Sequence, residues 1–367
     1  MVDKTVNAGV TAQQGFALQR NMALFIILDS YHEKYLTSDY FVTLEHLEDL
    51  LFCFVDSHGR PVCVDAYQAK KNSSSSWRIN KKFTEIIEKL LDTGIKLNLD
   101  ALPKSDTYSH KLYFSSNSSM DLEAKIKDSE GKLKSIRHVI NEQDILCSYN
   151  SLDENIRKKI KDSFNESLSS EHINELNNLN FGFIHFTRTD KEQKIQLYGK
   201  LNHVFGNDII DTKAALESLF SLFDSVGLAF NQKSIARLSD KSKRVSSDEI
   251  NKAFNVITTK SKAFDYWRDE ERNIAKNLRI RPFEKETFSL KFRSAFDYFK
   301  INDTSEHNKI FNFVKCNYMD CTSFSEDECI NELYISFGKQ HTTILDEINL
   351  KAVIYAAYFE AVYKKDV

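Results

Sequence analysis

Two apolar runs, residues 49–56 (DLLFCFVD) and 61–70 (PVCVDAYQAK), flank the tetrapeptide Ser57-His58-Gly59-Arg60. A Gly-containing turn between such runs signals a β-hairpin. A hairpin constrains a fold strongly, because its register assigns every side chain of both strands to a face. With His58 and Gly59 as the central pair, Ser57 faces Arg60, Val55 faces Val62 and Cys53 faces Val64. Leu51 then faces Ala66, and Asp49 faces Gln68. Side chains alternate with period two, so these residues share one face, with Lys70 two positions beyond Gln68. An apolar strip therefore ends in a carboxylate, an amide and an ammonium. The other face (Phe52, Phe54, Tyr67) is also apolar, which predicts a sheet covered on both sides by helices.

That polar end suits metal-assisted phosphodiester hydrolysis. Asp49 is a ligand for a hard divalent cation, the Gln68 amide oxygen is a ligand of the same type, and the Ala69 carbonyl is a third candidate. Lys70 is suited to orienting an attacking water or to neutralising charge on a phosphoryl oxygen. Glu45, at the end of the preceding strand, is either a further ligand or a solvated acid. Glu48 should point away from Asp49 if the strand already runs through it.

Around the hairpin, helical spacing of Phe16, Met22, Ala23, Ile26 and Ile27 predicts a first helix over about 11–30. A strand is expected at 40–45. A helix over about 75–92 carries Ile79, Phe83, Ile86, Ile87, Leu90 and Leu91 on one stripe, with Gly94 past its end. Further strands are expected at 111–116 and 181–187, the latter holding His185 as a core histidine. Between them lies a charged Ser- and Asn-rich stretch, about 121–180, with a helix near 153–164. After about Gly206 only helices are expected: 212–230, 247–271, 284–300, 305–318, 326–337 and 343–364. The last is apolar over more than one stripe, which fits core burial or a partner surface. The division reads as an α/β half, 1–206, and an all-α half, 207–367.

The order helix–strand–strand–strand–helix–strand resembles the restriction-endonuclease-like PD-(D/E)xK core in its Gln-x-Lys form. Asp49 opens the second strand, and Gln68-Ala69-Lys70 closes the third. The segment Gly15-Phe16-Ala17-Leu18-Gln19 on the first helix, followed by Asp49 and Tyr67-Gln68-Ala69-Lys70, resembles the anti-phage effector nucleases related to the CD-NTase-associated double-stranded DNA endonuclease. The usable motifs span roughly residues 8–120. The resemblance implies a mixed sheet flanked by helices and a Mg²⁺- or Mn²⁺-dependent DNA endonuclease. Carried over, Asp49 and Gln68 would be metal-site ligands, Lys70 the water-orienting or charge-stabilising lysine, and Gln19 a first-helix residue lining the pocket. Relatives of the nucleotide-signalling type carry a C-terminal sensor of alternating strands and helices, which an all-α half departs from. The arrangement is more similar to the nuclease subunit of Lamassu-type systems, which works with an SMC-like ATPase and a small accessory subunit. Nucleases paired with a HerA-type ATPase compete closely. A catalytically inert DNA-binding scaffold is the alternative of another class.

Composition narrows the partners. A net charge of −3 over 367 residues excludes bulk charge as the source of DNA affinity. It leaves a local basic seam, for which Lys71, Arg78, Lys81 and Lys82 are the candidates, with weak DNA binding unless protomers or a partner add contacts. An active homo-oligomer, gated by its partner, is therefore expected. With 10 Gly and 3 Pro the chain reads as helix-rich. No Cys-x-x-Cys pair occurs among six cysteines, so reduced thiols are expected. No apolar run approaches the roughly 20 residues of a membrane helix, and no signal peptide is evident, so a cytoplasmic protein is expected.

Overall fold

The structure, a computed structural model, describes residues 8–70, 76–127, 132–164, 168–206, 209, 212–227, 237–299 and 306–363. Contacts divide the chain into two units. The first comprises Met1–Val204 with Leu216–Ile250, the second Phe205–Ala215 with Asn251–Val367.

The first unit is a mixed α/β assembly. It opens with helix α1 (Ala8–Asp29) and a π-helical turn (Tyr31–Tyr35), followed by strands β1 (Tyr40–Leu44), β2 (Leu50–Val55), β3 (Pro61–Lys70) and β4 (Trp77–Arg78). Helix α2 (Lys81–Leu99) leads to β5 (Ser109–Ser116), β6 (Met120–Lys127), β7 (Leu133–Ile140) and β8 (Leu146–Ser148). Then come α3 (Glu154–Asp162), α4 (Ser170–Glu175), β9 (Leu179–Phe183), α5 (Asp190–Phe205), α6 (Thr212–Gly227) and β10 (Val245–Ser246). Seven strands form one sheet in the order β10-β1-β2-β3-β5-β9-β8, and β4-β6-β7 form a second.

The β2–β3 hairpin folds as its pattern demands, with one local difference. Its loop has three residues rather than two: Asp56 N donates to Arg60 O at 3.0 Å, Gly59 N donates to Asp56 O at 2.8 Å, and Gly59 adopts φ +73°. That left-handed residue is the glycine position of a turn-plus-bulge loop. Val55 consequently pairs with Pro61, not Val62, and Ser57 does not face Arg60. A register shift follows between Phe54 and Val55, so that Phe54 pairs with Cys63 and Val62 is the extra residue. Two one-residue displacements cancel, and Cys53 faces Val64 and Leu51 faces Ala66 as expected.

Each face of the hairpin is covered. Leu51, Cys53, Val64 and Ala66 belong to a core with Phe83, Ile87, Leu90 and Leu91 of α2. On the opposite face Tyr35, from the π-helical turn, packs against Phe52 at 5.4 Å and Tyr40 at 5.1 Å between ring centroids. Large apolar side chains buried this way contribute roughly 1.5–3 kcal/mol each.

Several boundaries differ from expectation. Helix α2 starts at Lys81, where Asn80 Oδ1 accepts from Phe83 N at 3.0 Å, and runs through Gly94 to Leu99. Gly94 does not end the helix; a Cβ there would collide with the Glu175 carboxylate, so the glycine admits α4. The stretch after residue 120 holds the β6–β7 hairpin, whose signal was the alternation Met120, Leu122, Ala124, Ile126. Strand β9 ends at Phe183, and His185 is exposed rather than a core residue. The boundary expected at 206 is replaced: residues 216–250 return to the first unit, where β10 pairs with β1. A two-residue strand is too short to show a period, which is why only helices were expected there.

The second unit is helical, with α7 (Ser247–Asn277) entering it, then α8 (Lys285–Tyr298), α9 (Glu306–Asn317), α10 (Glu326–Gln340) and α11 (Glu347–Tyr363). Every residue of α11 from Leu350 to Glu360 is buried. The all-round apolar helix is thus the core of this unit. Its Tyr355 hydroxyl donates to Ala263 O at 2.7 Å, and the ring packs against Phe288 and Phe292. Among the described residues no helix is long and apolar enough to cross a membrane.

Candidate functional site

The polar end of the hairpin is built at the carboxyl end of β3. Asp49 immediately precedes β2, and its Oδ2 gathers three donors. These are the Gln68 Nε2, the Ala69 N–H at 3.0 Å and the Lys70 Nζ at 3.1 Å. Gln68 is buried, while Asp49 and Lys70 keep 17% and 35% of their side-chain surface, so the pair remains reachable. The structure thus brings together the three residues expected from register. Ala69 meets Asp49 through its amide N–H. Its carbonyl leaves the strand by the same edge, because N–H and C=O of one residue point to the same neighbour.

Residues 45–49 form a tight bend rather than a continuation of the strand. Glu45 N donates to Asp49 O at 3.3 Å, His46 N donates to Glu48 O at 3.4 Å, and Glu45 takes φ +48°. A non-glycine residue in that region costs roughly 1–2 kcal/mol, and such strain collects at functional sites. The bend places Glu45 against α1, where Gln19 Nε2 donates to Glu45 Oε1 at 2.5 Å. Gln19 is buried, and its own Oε1 has no hydrogen-bond partner among the described residues.

The same bend corrects the expected direction of Glu48. Strand alternation begins only at Leu50, so Glu48 does not point away: it lines one cleft of about 280 Å³ with Glu45, Asp49 and Gln68. Its Oε2 accepts from Thr93 Oγ1 at 2.7 Å. Burial, with the Asp49 charge adding to it, pushes the Glu48 carboxyl up to about 7 against the Thr93 bond. The opposite wall is α2, which presents Lys89, Asp92 and Lys96 on successive turns. Lys89 and Lys96 were not singled out from sequence; the available signal was their seven-residue spacing beside the buried stripe of α2.

The expected basic seam lies elsewhere. Arg78, Lys81 and Lys82 are exposed around the start of α2 and do not line this cleft. Lys81 pairs with Glu85 at 3.9 Å, and Lys82 Nζ lies 5.0 Å from the Trp77 ring centroid. Lys71 falls outside the described residues.

Oxygen donors are what a hard divalent cation requires, and Glu45, Glu48, Asp49 and Gln68 supply them from one cleft. The orphaned Gln19 Oε1 and the burial that raises the Glu48 carboxyl fit a site that gains from a cation. Among the described residues, however, no three His, Cys, Asp or Glu side chains already converge to hold one. Asp49 Oδ2 is instead neutralised by Lys70 and the two N–H donors.

No protein-family model matches the chain, and neither curated proteins nor solved structures provide a match.

Proposed function

We propose that the chain is a metal-dependent DNA endonuclease with a restriction-endonuclease-like core, acting as the effector of an anti-phage defence complex. The observation that carries this reading is Asp49 meeting Gln68 and Lys70 at the open, carboxyl end of β3. In it, Asp49, Gln68 and Glu45, with Glu48 added and the Ala69 carbonyl on the same edge, hold Mg²⁺ or Mn²⁺. The cation, when bound, supplies a Lewis acid for the phosphate and lowers the pKa of water. Lys70 holds its ammonium beside Asp49 and stabilises negative charge on the phosphoryl oxygens. Lys89 and Lys96 contact flanking phosphates on the far wall of the cleft. Gln19 fixes Glu45 and thereby the bend.

The helical unit serves as regulator. Net charge near neutrality and a cleft with two lysines support few phosphate contacts, so DNA engagement needs several protomers or a DNA-binding partner. An SMC-like ATPase with a small accessory subunit is the first candidate partner, and a HerA-type ATPase the second. A second reading, a catalytically inert DNA-binding scaffold, is favoured by one observation: Asp49 Oδ2 already accepts from three donors.

Plasmid incubated with the full chain, alone and with its genomic neighbours, with and without Mg²⁺, separates the two. Metal-dependent cleavage abolished by Lys70→Ala supports the endonuclease. Absence of cleavage in every assembly, with DNA binding retained, establishes the scaffold.

A further inference from the structure

Strands β3, β5 and β9 run parallel, and Lys70 pairs with Ser116, which pairs with Phe183. These three residues form one row across the carboxyl ends of the strands. At 4.7–4.9 Å per strand the row spans about 10 Å. Ligands of parallel sheets bind outside these carboxyl ends. Beyond Ser116 a second cleft, of about 420 Å³, opens between this row and the β6–β7 hairpin; its lining includes Ser76, Asn117, Arg137, Asn141, Phe183 and Arg188. A volume of roughly 300–1,000 Å³ is typical of small-ligand sites.

The chemistry of the lining is selective. Asp121 accepts from Arg137 Nε at 2.5 Å and from Arg137 Nη2 at 2.8 Å, and Glu142 shares the wall with Arg188, so the cleft is near neutral. That favours an uncharged hydrogen-bonding group over a phosphate. Asn117 supplies the matching groups: its Nδ2 and Oδ1 are both buried without a hydrogen-bond partner among the described residues. Buried polar groups are rarely left so, and each such exception calls for a partner. The turn holding Asn117 is anchored. Ser116 Oγ accepts from Trp77 Nε1 at 2.9 Å and from Ser118 N at 3.1 Å, and Trp77 N donates to Ser119 O at 2.8 Å.

We propose that this cleft receives a nucleobase, adenine by preference, from the polynucleotide held at the Asp49–Lys70 site. An amide offering one donor and one acceptor is the complement of adenine N7 and N6, and Phe183 adds an aromatic surface to the wall. The inference rests on the nuclease reading for the identity of the polymer, and makes Asn117 the residue that selects the base beside the cut.

The test titrates the four deoxynucleosides, at millimolar concentration and without metal, into the full-length protein by NMR. Deoxyadenosine should bind about tenfold more tightly than the others. Asn117→Asp, which exchanges the donor for an acceptor and leaves adenine N7 facing an oxygen, should abolish the preference for deoxyadenosine. Should that buried variant fail to fold, Asn141→Ala and Arg188→Gln on the cleft wall should weaken deoxyadenosine binding. Equal binding of all four deoxynucleosides, no binding, or a preference unchanged by every folded variant overturns the proposal. Cleavage plays no part in this readout. Base-selective binding by a protein that never cuts DNA would retire the nuclease and leave the base pocket standing. Cleavage without base selectivity would do the reverse.

Discussion

Lys70 Nζ lies 3.1 Å from Asp49 Oδ2 although the two residues open and close a hairpin of two antiparallel strands. The contact is diagonal: Asp49 precedes β2, Lys70 ends β3, and Gln68 and the Ala69 N–H converge on the same oxygen. A partly exposed pair of this kind is worth at most about 1 kcal/mol to stability. Removing it should therefore cost the fold little.

Activity and stability should therefore separate at this pair. Lys70→Ala should lower the melting temperature by only a few degrees, yet reduce metal-dependent cleavage by about 10²-fold or more. Calorimetry and a plasmid-nicking assay on the same preparation check both halves. A large loss of stability with unchanged cleavage would assign the pair to the fold.

Metal binding should be visible without substrate. A cation that binds only the folded chain stabilises it by RT ln(1 + [L]/Kd), about 1.4 kcal/mol at ten times Kd. Mg²⁺ or Mn²⁺ should raise the melting temperature of the wild-type chain and leave Asp49→Asn unmoved. Equal shifts in both proteins would place the cation elsewhere.

Glu175 predicts an acid-dependent contribution. It is 4% exposed and hydrogen-bonded by His110 at 2.7 Å, Asn98 at 2.6 Å and Asn178 at 3.0 Å. Burial raises its carboxyl, but the bonds from His110 and Asn178 outweigh that and hold it below the usual range. A carboxyl depressed in the folded state adds stability that is full above its unfolded pKa and fades as pH falls through the folded one. Glu175→Gln should therefore destabilise the protein at neutral pH, with the gap to wild type closing in strong acid. Urea unfolding across that range measures it.

Two glycines should respond differently to alanine. At Gly94 the added Cβ meets the Glu175 carboxylate, inside the same buried network, so Gly94→Ala should cost about 2 kcal/mol or more. Gly59 has open space around it and only its φ of +73° to lose, so Gly59→Ala should cost about 1 kcal/mol. Chemical denaturation of the two variants side by side checks the order.

Local rules carried the hairpin. Alternation along 61–70 and a glycine near the turn sufficed to set Leu51 against Ala66 and to bring Asp49, Gln68 and Lys70 together, because strand register is a property of neighbouring residues. The same rule failed at Glu48. Alternation reaches Glu48 only if the strand already runs through it, and nothing in the string EHLEDL at 45–50 announces that the strand starts at Leu50. Arg78, Lys81 and Lys82 lie outside this cleft for another reason: composition marks a basic helix end but cannot tell which turn of α2 faces the acids.

The chain therefore carries in its own order the hairpin, the first helix, the stripe of α2 and the helices of the second unit, all set by periodicities of two or 3.6 residues. Only tertiary packing decided that Lys89 and Lys96 face Asp49, that β10 returns to pair with β1, and that Asn117 lines a second cleft beside the row from Lys70 to Phe183. Those relations join residues far apart in the chain, where no local period operates. Parallel pairing of β3, β5 and β9 sets Lys70, Ser116 and Phe183 in one row at the end of the sheet.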